Sequence, residues 1–133
     1  MYEFSITTSS KIGIVDITEE VMRAVTGAKV DEGICVVYVP HATAGVIINE
    51  YEPNLKQDLL DMLQSIIRED SKYKHNTIDD NASAHLRSAL TGSSVVLPIS
   101  GHKLMLGTWQ RILLCEFDGP RRRTVYVSVI KSS

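Results

Sequence analysis

Tyr2, Phe4 and Ile6 alternate with Glu3, Ser5 and Thr7, the period of two expected of a half-buried strand. The following TSSK reads as a turn and residues 12–17 (IGIVDI) as the returning strand. Thr18 is placed to N-cap a helix over 19–26, with Glu19 and Glu20 at the positive end of its dipole and Gly27 ending it. Residues 34–39 (ICVVYV) are apolar on both faces, as in an interior strand, and Pro40 stops them. The loop HATAG (41–45) then leads to a strand over 46–50, with Val46, Ile48 and Glu50 on one face and Ile47 and Asn49 on the other.

The clearest helix is 53–68. Pro53 suits its first turn, and Leu55, Leu59, Leu60, Leu63, Ile66 and Ile67 form an apolar stripe. Residues 69–80 are polar and loop-like. A short helix follows, capped by Asp80 or Asn81 and stopped by Gly92. Strands are expected over 94–99, 104–106, 109–117 and 124–130, with a DGP turn (118–120) between the last two. The order is ββαββαα and then three or four strands, without the alternation of a doubly wound sheet. It predicts one domain over 1–133, an α+β fold, mainly an antiparallel sandwich with flanking helices.

The chain has 133 residues, enough for a real core, and 44% are hydrophobic, as in ordinary globular proteins. A net charge of −2 gives no general basic field, so no nucleic-acid partner is expected. The basic residues cluster only at Arg121–Arg123. Apolar runs are far short of the ~20 residues that span a membrane, and the opening MYEFSITTSS lacks a signal-peptide pattern. Two cysteines in apolar runs, with no CxxC, fit a reducing cytoplasm.

Candidate chemistry lies in three places. In DDNASAHLRSAL (79–90), Ala82, His85, Leu86 and Ala89 share one helical face, which the pattern turns inward. His85 is then either a packed histidine bonded to a carbonyl or a general base or metal ligand oriented by Asp79 or Asp80, with His75 upstream. In the loop after Pro40, His41, Thr43 and Gly45 allow a ligand to approach the backbone, or simply make a turn. Glu50 either shares a site or points to solvent. Trp109 is expected in the core and Cys115 as a small hydrophobe. Arg121–Arg123 either grip phosphate or pair with Asp118 and Glu116 across the turn.

Four segments together resemble the YjbQ-like family, often described as secondary thiamine-phosphate synthases. They are HATAGVIINE, YKHNTIDDNASAHLRSALTGSSVVLPISG, LMLGTWQRILLCEFDGPRRR and the short antiparallel start. The resemblance covers about residues 2–130. His41, Asn49, Glu50, His75, Asp80 and His85 match family positions, as do Gly107, Trp109, Gln110, Cys115 and Glu116. The chain departs from the family at Tyr51-Glu52-Pro53, where Asn-Ala-Asp-Pro is usual, and at Arg111, where glycine is frequent.

The resemblance implies a mixed β-sandwich with jelly-roll character, assembled as a homotrimer, with a polar site near subunit interfaces. It implies condensation of a hydroxymethylpyrimidine diphosphate with a thiazole phosphate, releasing pyrophosphate. His41, Glu50, Asp80 and His85 would then be catalytic. Thr43, Asn49, Gln110, Arg121 and Arg123 would bind the phosphorylated substrate, and His41, His75 and His85 would hold a divalent metal, zinc or magnesium. Three imidazoles favour zinc. Two alternatives remain: a non-catalytic trimer binding a metal or small ligand in the same pocket, and a structural or partner-binding trimer with packed histidines.

Overall fold

The computed structural model describes residues 1–69 and 72–132. The chain runs β1 (Tyr2–Thr7), β2 (Gly13–Asp16), α1 (Thr18–Ala28), β3 (Gly33–Tyr38), β4 (Ala44–Asn49) and α2 (Pro53–Ile66). A 3-10 turn (Lys74–Thr77) and α3 (Ala82–Thr91) follow, then β5 (Ser94–Ser100), β6 (Lys103–Leu104), β7 (Arg111–Glu116) and β8 (Arg122–Lys131). All pairings are antiparallel, in a five-stranded sheet ordered β1-β8-β3-β5-β6 and a three-stranded sheet ordered β2-β7-β4. The expected α+β class holds at this level. Among the described residues no helix is long and apolar enough to cross a membrane.

β7 explains how the two sheets are used. Its sequence, RILLCE, is apolar at consecutive positions, so both faces must be covered. Ile112 and Leu114 join α1 (Val21, Val25) and the inner face of the large sheet (Cys35, Val37, Leu97, Val125, Val127) in one core. Leu113, Cys115 and Phe117 face the other way, into a second core with Leu60 and Leu63 of α2 and Ala84 of α3. The small sheet is thus a middle layer that holds α2 and α3 in place.

Several element boundaries differ from the pattern reading. Thr18 is not the cap of α1: its backbone N–H and hydroxyl both donate to Asp16 Oδ1, at 3.0 and 2.6 Å. Its hydroxyl also accepts from the Ile112 N–H at 2.8 Å, tying α1 to β7. The helix continues through Gly27, and the left-handed reversal falls on Lys29, with φ 56°. α2 is capped by Glu52, whose carboxylate accepts from the N–H groups of Asn54 and Leu55. It stops at Ile66, which is 61% exposed instead of joining the stripe.

Two side-chain expectations fail. The predicted strand over 109–117 begins only at Arg111, because Gly107–Gln110 close a turn: the Gln110 N–H donates to the Gly107 carbonyl and the Gly107 N–H to Gln110 Oε1. Trp109 sits at that turn, 71% exposed, and is not core. In α3 the inward face carries Ala84, Arg87 and Ser88, while Leu86 is 42% exposed. Ser88 Oγ donates to the Ala44 carbonyl, and Gly45 lies where a Cβ would meet Thr91 Oγ1 at 2.1 Å. This close approach to β4 selects the small, polar side of the helix over the leucine side.

Candidate functional site

The β3–β8 ladder ends on one side at the Tyr38–Tyr126 pair. Beyond it the Thr124 N–H faces no strand partner, and the chain after Val39 turns away at Pro40. His41 fills the gap: its Nε2 accepts from the Thr124 N–H at 2.9 Å. With that lone pair engaged, the neutral ring carries its proton on Nδ1. Burial pushes the His41 pKa down, and the charge of Arg123 adds to that, against a smaller opposing effect of Glu116. His41 is therefore a neutral N–H donor. It offers no free lone pair for a metal.

Below it lies a buried ion pair. Glu116 and Arg123 are 1% and 3% exposed. The carboxylate accepts from Arg123 Nε at 2.9 Å and from its Nη2, from the Thr8 hydroxyl at 2.7 Å, and from the N–H groups of Phe117 and Asp118. Arg123 Nη2 also donates to the Thr43 carbonyl and hydroxyl. Burial raises the Glu116 pKa, but the hydrogen bonds from Arg123 and Thr8 outweigh it and hold it below its usual value. Arg123 and Thr43 thus serve first as framework. Of the two arginine readings left open above, pairing across the turn holds for Arg123 with Glu116 and for Arg121 with Asp118.

Arg122 and Arg123 open β8 and fall on opposite faces of it, and Arg121 precedes the strand. Arg122 is exposed, and its guanidinium has no partner among the described residues. Arg121 bends back, donating to the Asp118 carbonyl at 2.8 Å and to Asp118 Oδ2 at 3.0 Å. Asn81 Nδ2 donates to the same oxygen at 3.1 Å. Burial pushes the Asp118 carboxyl up, and these two bonds with the nearby arginine charges bring it below its usual range.

Asn81 is the N-cap residue of α3, as expected, but its side chain makes no capping hydrogen bond. The Ala82 N–H donates instead to Asn76 Oδ1 at 3.0 Å, from the 3-10 turn. Asn81 Oδ1 pairs with His75 Nε2 at 3.1 Å, and because Asn81 donates to Asp118 through its amide nitrogen, His75 is the donor. The His75 ring meets His85 edge-on, centroids 4.8 Å apart. Asp80 stays exposed, its N–H bonded to Asp79, and does not orient His85.

These groups border one open cavity of about 590 Å³, lined by Pro40–Thr43, Asn81, His85, Asp118 and Arg121–Arg123. Arg121 pairs with Asp118 and Arg123 with Glu116, so Arg122 is left as the uncompensated charge among the described residues, and the cavity suits an anion. Of the candidate residues it gathers His41, Thr43, His85, Arg121 and Arg123, with His75 behind His85. Asn49, Glu50 and Gln110 lie elsewhere. β4 pairs Ala44 with Glu116 at the cavity end and Asn49 with Arg111 at the other, so five residues of strand, about 17 Å, separate them. Gln110 borders a different cavity of about 550 Å³ between α1 and β6.

Among the described residues no three His, Cys, Asp or Glu side chains come together as a metal-ligand set. His41 has its Nε2 engaged, His75 donates from its own Nε2, and Glu50 is remote. The donor set within one chain does not fit the expected His41–His75–His85 centre. Nor is there a thiol nucleophile: burial pushes Cys115 up to about 12 and Cys35 up to about 11. The pattern reading missed Asn81 and Asp118 as site residues, since both carry strong local signals as cap and turn.

The sequence model of the family described as UPF0047 protein YjbQ-like matches residues 2–132. The chain belongs to this family. It is 44% identical to a UPF0047 protein of Archaeoglobus fulgidus over 128 residues, 96% of this chain and 99% of that one. A UPF0047 protein of Methanocaldococcus jannaschii is 41% identical, over 98% of this chain and 94% of its own. The crystal structure of a hypothetical protein from Aeropyrum pernix K1 superposes with a TM-score of 0.95 at 40% identity, covering 98% of both chains. That of a YjbQ/UPF0047 family protein from Clostridium acetobutylicum gives 0.93 at 42%, covering 98% of this chain and all of the other. In this chain the YjbQ-like fold holds the arginine–histidine cavity described above.

Proposed function

We propose that this cavity binds the diphosphate of a small organic substrate and promotes its departure. The reaction is the condensation implied by the family resemblance: a hydroxymethylpyrimidine diphosphate joins a thiazole phosphate and releases pyrophosphate. The observation that carries the reading is the Arg122 guanidinium, unpaired among the described residues, beside Arg121, Arg123 and the neutral His41 donor around one open cavity. In this condensation the thiazole nitrogen forms the new bond to the pyrimidine methylene carbon. The C–O bond breaks, and its electron pair leaves on pyrophosphate. No proton need be removed from the nucleophile. The catalytic demand is thus charge stabilisation at the leaving group, which fixed cations and N–H donors supply. His85 is placed to donate to the same phosphates.

The remoteness of Glu50 favours a second reading, a non-catalytic binder of phosphorylated small molecules. Both readings include the sandwich packing with jelly-roll character, a cytoplasmic setting and the homotrimer. Supporting assembly, the outer face of the large sheet exposes Ile34 (40%), Tyr38 (46%), Val96 (57%) and Ile130 (52%). The deciding experiment measures pyrophosphate release from the two substrates with and without added divalent metal, for wild type and for Arg122→Ala and His85→Ala. Loss of about tenfold or more in kcat/KM for both variants, with the assembly unchanged, supports the enzyme. Full turnover by either variant sinks it. Tight substrate binding with no release above background leaves the binder.

A further inference from the structure

Arg87 stands two positions after His85, about 200° around the helix. The two side chains therefore leave α3 on opposite flanks, and Arg87 enters a different environment. It is 1% exposed. Its Nε and Nη2 both donate to the Ile67 carbonyl, at 3.2 and 2.8 Å. Its Nη1 is buried and has no hydrogen-bond partner among the described residues. Glu69 Oε1 lies 4.0 Å from Nη1, too far for a hydrogen bond. A guanidinium buried without a hydrogen-bonded counter-ion is costly, and an unsatisfied buried donor calls for a ligand that satisfies it.

The surroundings fit one. Arg87 borders an open cavity of about 450 Å³ with Lys11, Ile12, Gln64, Arg68 and Glu69. Among the described residues three cations line it against one carboxylate. Arg68 is exposed and makes no ion pair among the described residues. Glu69 is 56% exposed and reaches Lys11 at 3.3 Å, an exposed pair that holds the side chain only weakly.

We propose that this cavity is a second oxyanion site, taking a phosphoryl or similar tetrahedral group, with the Glu69 carboxylate holding its place when no ligand is bound. Glu69 Oε1 lies within 4.0 Å of Lys11 Nζ and Arg87 Nη1, but hydrogen-bonds poorly to the second. A tetrahedral oxyanion has oxygens enough to meet Lys11, Arg68 and the orphaned Arg87 nitrogen together. Swinging Glu69 into solvent gives up a weak exposed pair and lets the buried guanidinium make a charge-assisted hydrogen bond. The site stands apart from the reaction proposed above, because α3, about 10 Å thick, separates the two cavities.

The test is a titration of inorganic phosphate into ¹⁵N-labelled protein at constant ionic strength, followed by backbone shifts. A parallel titration uses ribose 5-phosphate. The expected result is a saturating set of shifts at residues 11, 64–69 and 87. Glu69→Gln should tighten that set several-fold by removing the competing carboxylate. Arg68→Ala should weaken it about tenfold, and Arg122→Ala should leave it unmoved. Both substituted residues of this site are exposed, so neither variant depends on the core. Saturation by the monoester assigns the site to a phosphorylated metabolite, and saturation by phosphate alone assigns it to the free ion. Shifts that chloride reproduces, or an affinity that Glu69→Gln leaves unchanged, would overturn the proposal.

Discussion

Substituting Glu116 by Gln tests the framework beneath the anion cavity. Glu116 Oε1 accepts from Thr8 Oγ1 and Arg123 Nε, and Oε2 from Arg123 Nη2 and the N–H groups of Phe117 and Asp118. Glutamine keeps the shape but has one acceptor oxygen. Whichever way its amide turns, the NH2 faces at least two donors. Arg123, 3% exposed, also loses its counter-charge. Breaking a buried pair by removing one partner costs about 3–5 kcal/mol. At roughly 3–4 °C per kcal/mol for a domain of this size, the melting temperature falls by about 10–20 °C. Urea unfolding at pH 7 of Glu116→Gln, Arg123→Met and the double variant measures the cost and the coupling. The pH dependence gives a second readout. Because the folded-state pKa of Glu116 is depressed, its contribution is fully present above the unfolded carboxylate value, about 4.3, and is lost as pH falls through the lower folded value. Glu116→Gln should lose that part of the acid sensitivity. A cost under about 1 kcal/mol, or strict additivity in the double variant, refutes the reasoning.

The His41 pKa is lowered in the folded protein, so the ring stays neutral below the usual midpoint near 6.5, and its contribution to stability is lost as pH falls through the lower value. An NMR titration should give a midpoint below 6.5 and the Nδ1–H tautomer; a normal midpoint would count against the Thr124 contact. Cys35 and Cys115 should resist a thiol reagent at pH 8 in the native protein and react fully once unfolded, given thiols raised to about 11 and about 12. Rapid native labelling of either would contradict their burial. Gly45→Ala should destabilise by about 1–3 kcal/mol, because the new Cβ meets Thr91 Oγ1 at 2.1 Å and the Gly92 carbonyl at 2.9 Å. An unchanged urea midpoint would show that α3 can move away from β4.

Most of the strands were legible because their signals are local. The alternation of Tyr2, Phe4 and Ile6 states the period, and the apolar run 34–39 marks an interior strand, paired on both edges although Ile34 and Tyr38 on its outer face stay exposed. The site was legible only by halves. Of the candidates, His41, His85 and Arg121–Arg123 line one cavity. Asn49, Glu50 and Gln110 attract the same notice, but chain proximity to His41 misleads because a β-strand carries its two ends far apart. Asn81 and Asp118 were read as cap and turn. Their role comes from the bond between them, 37 positions apart in the chain.

What the sequence determined by itself is the element order and the antiparallel α+β class. Periodicity and turn residues act over a few positions and need no partner. What the tertiary structure decided is which face each element buries and what each polar group does. Leu86 lost the inward position on α3 to Ser88, because β4 approaches too closely at Ala44 and Gly45 for a leucine. His41 became a neutral donor only because the β3–β8 ladder stops short of Thr124. Three adjacent arginines took three roles, pinned to a turn, open to solvent and buried with Glu116, because strand parity and burial separate residues that the sequence sets side by side.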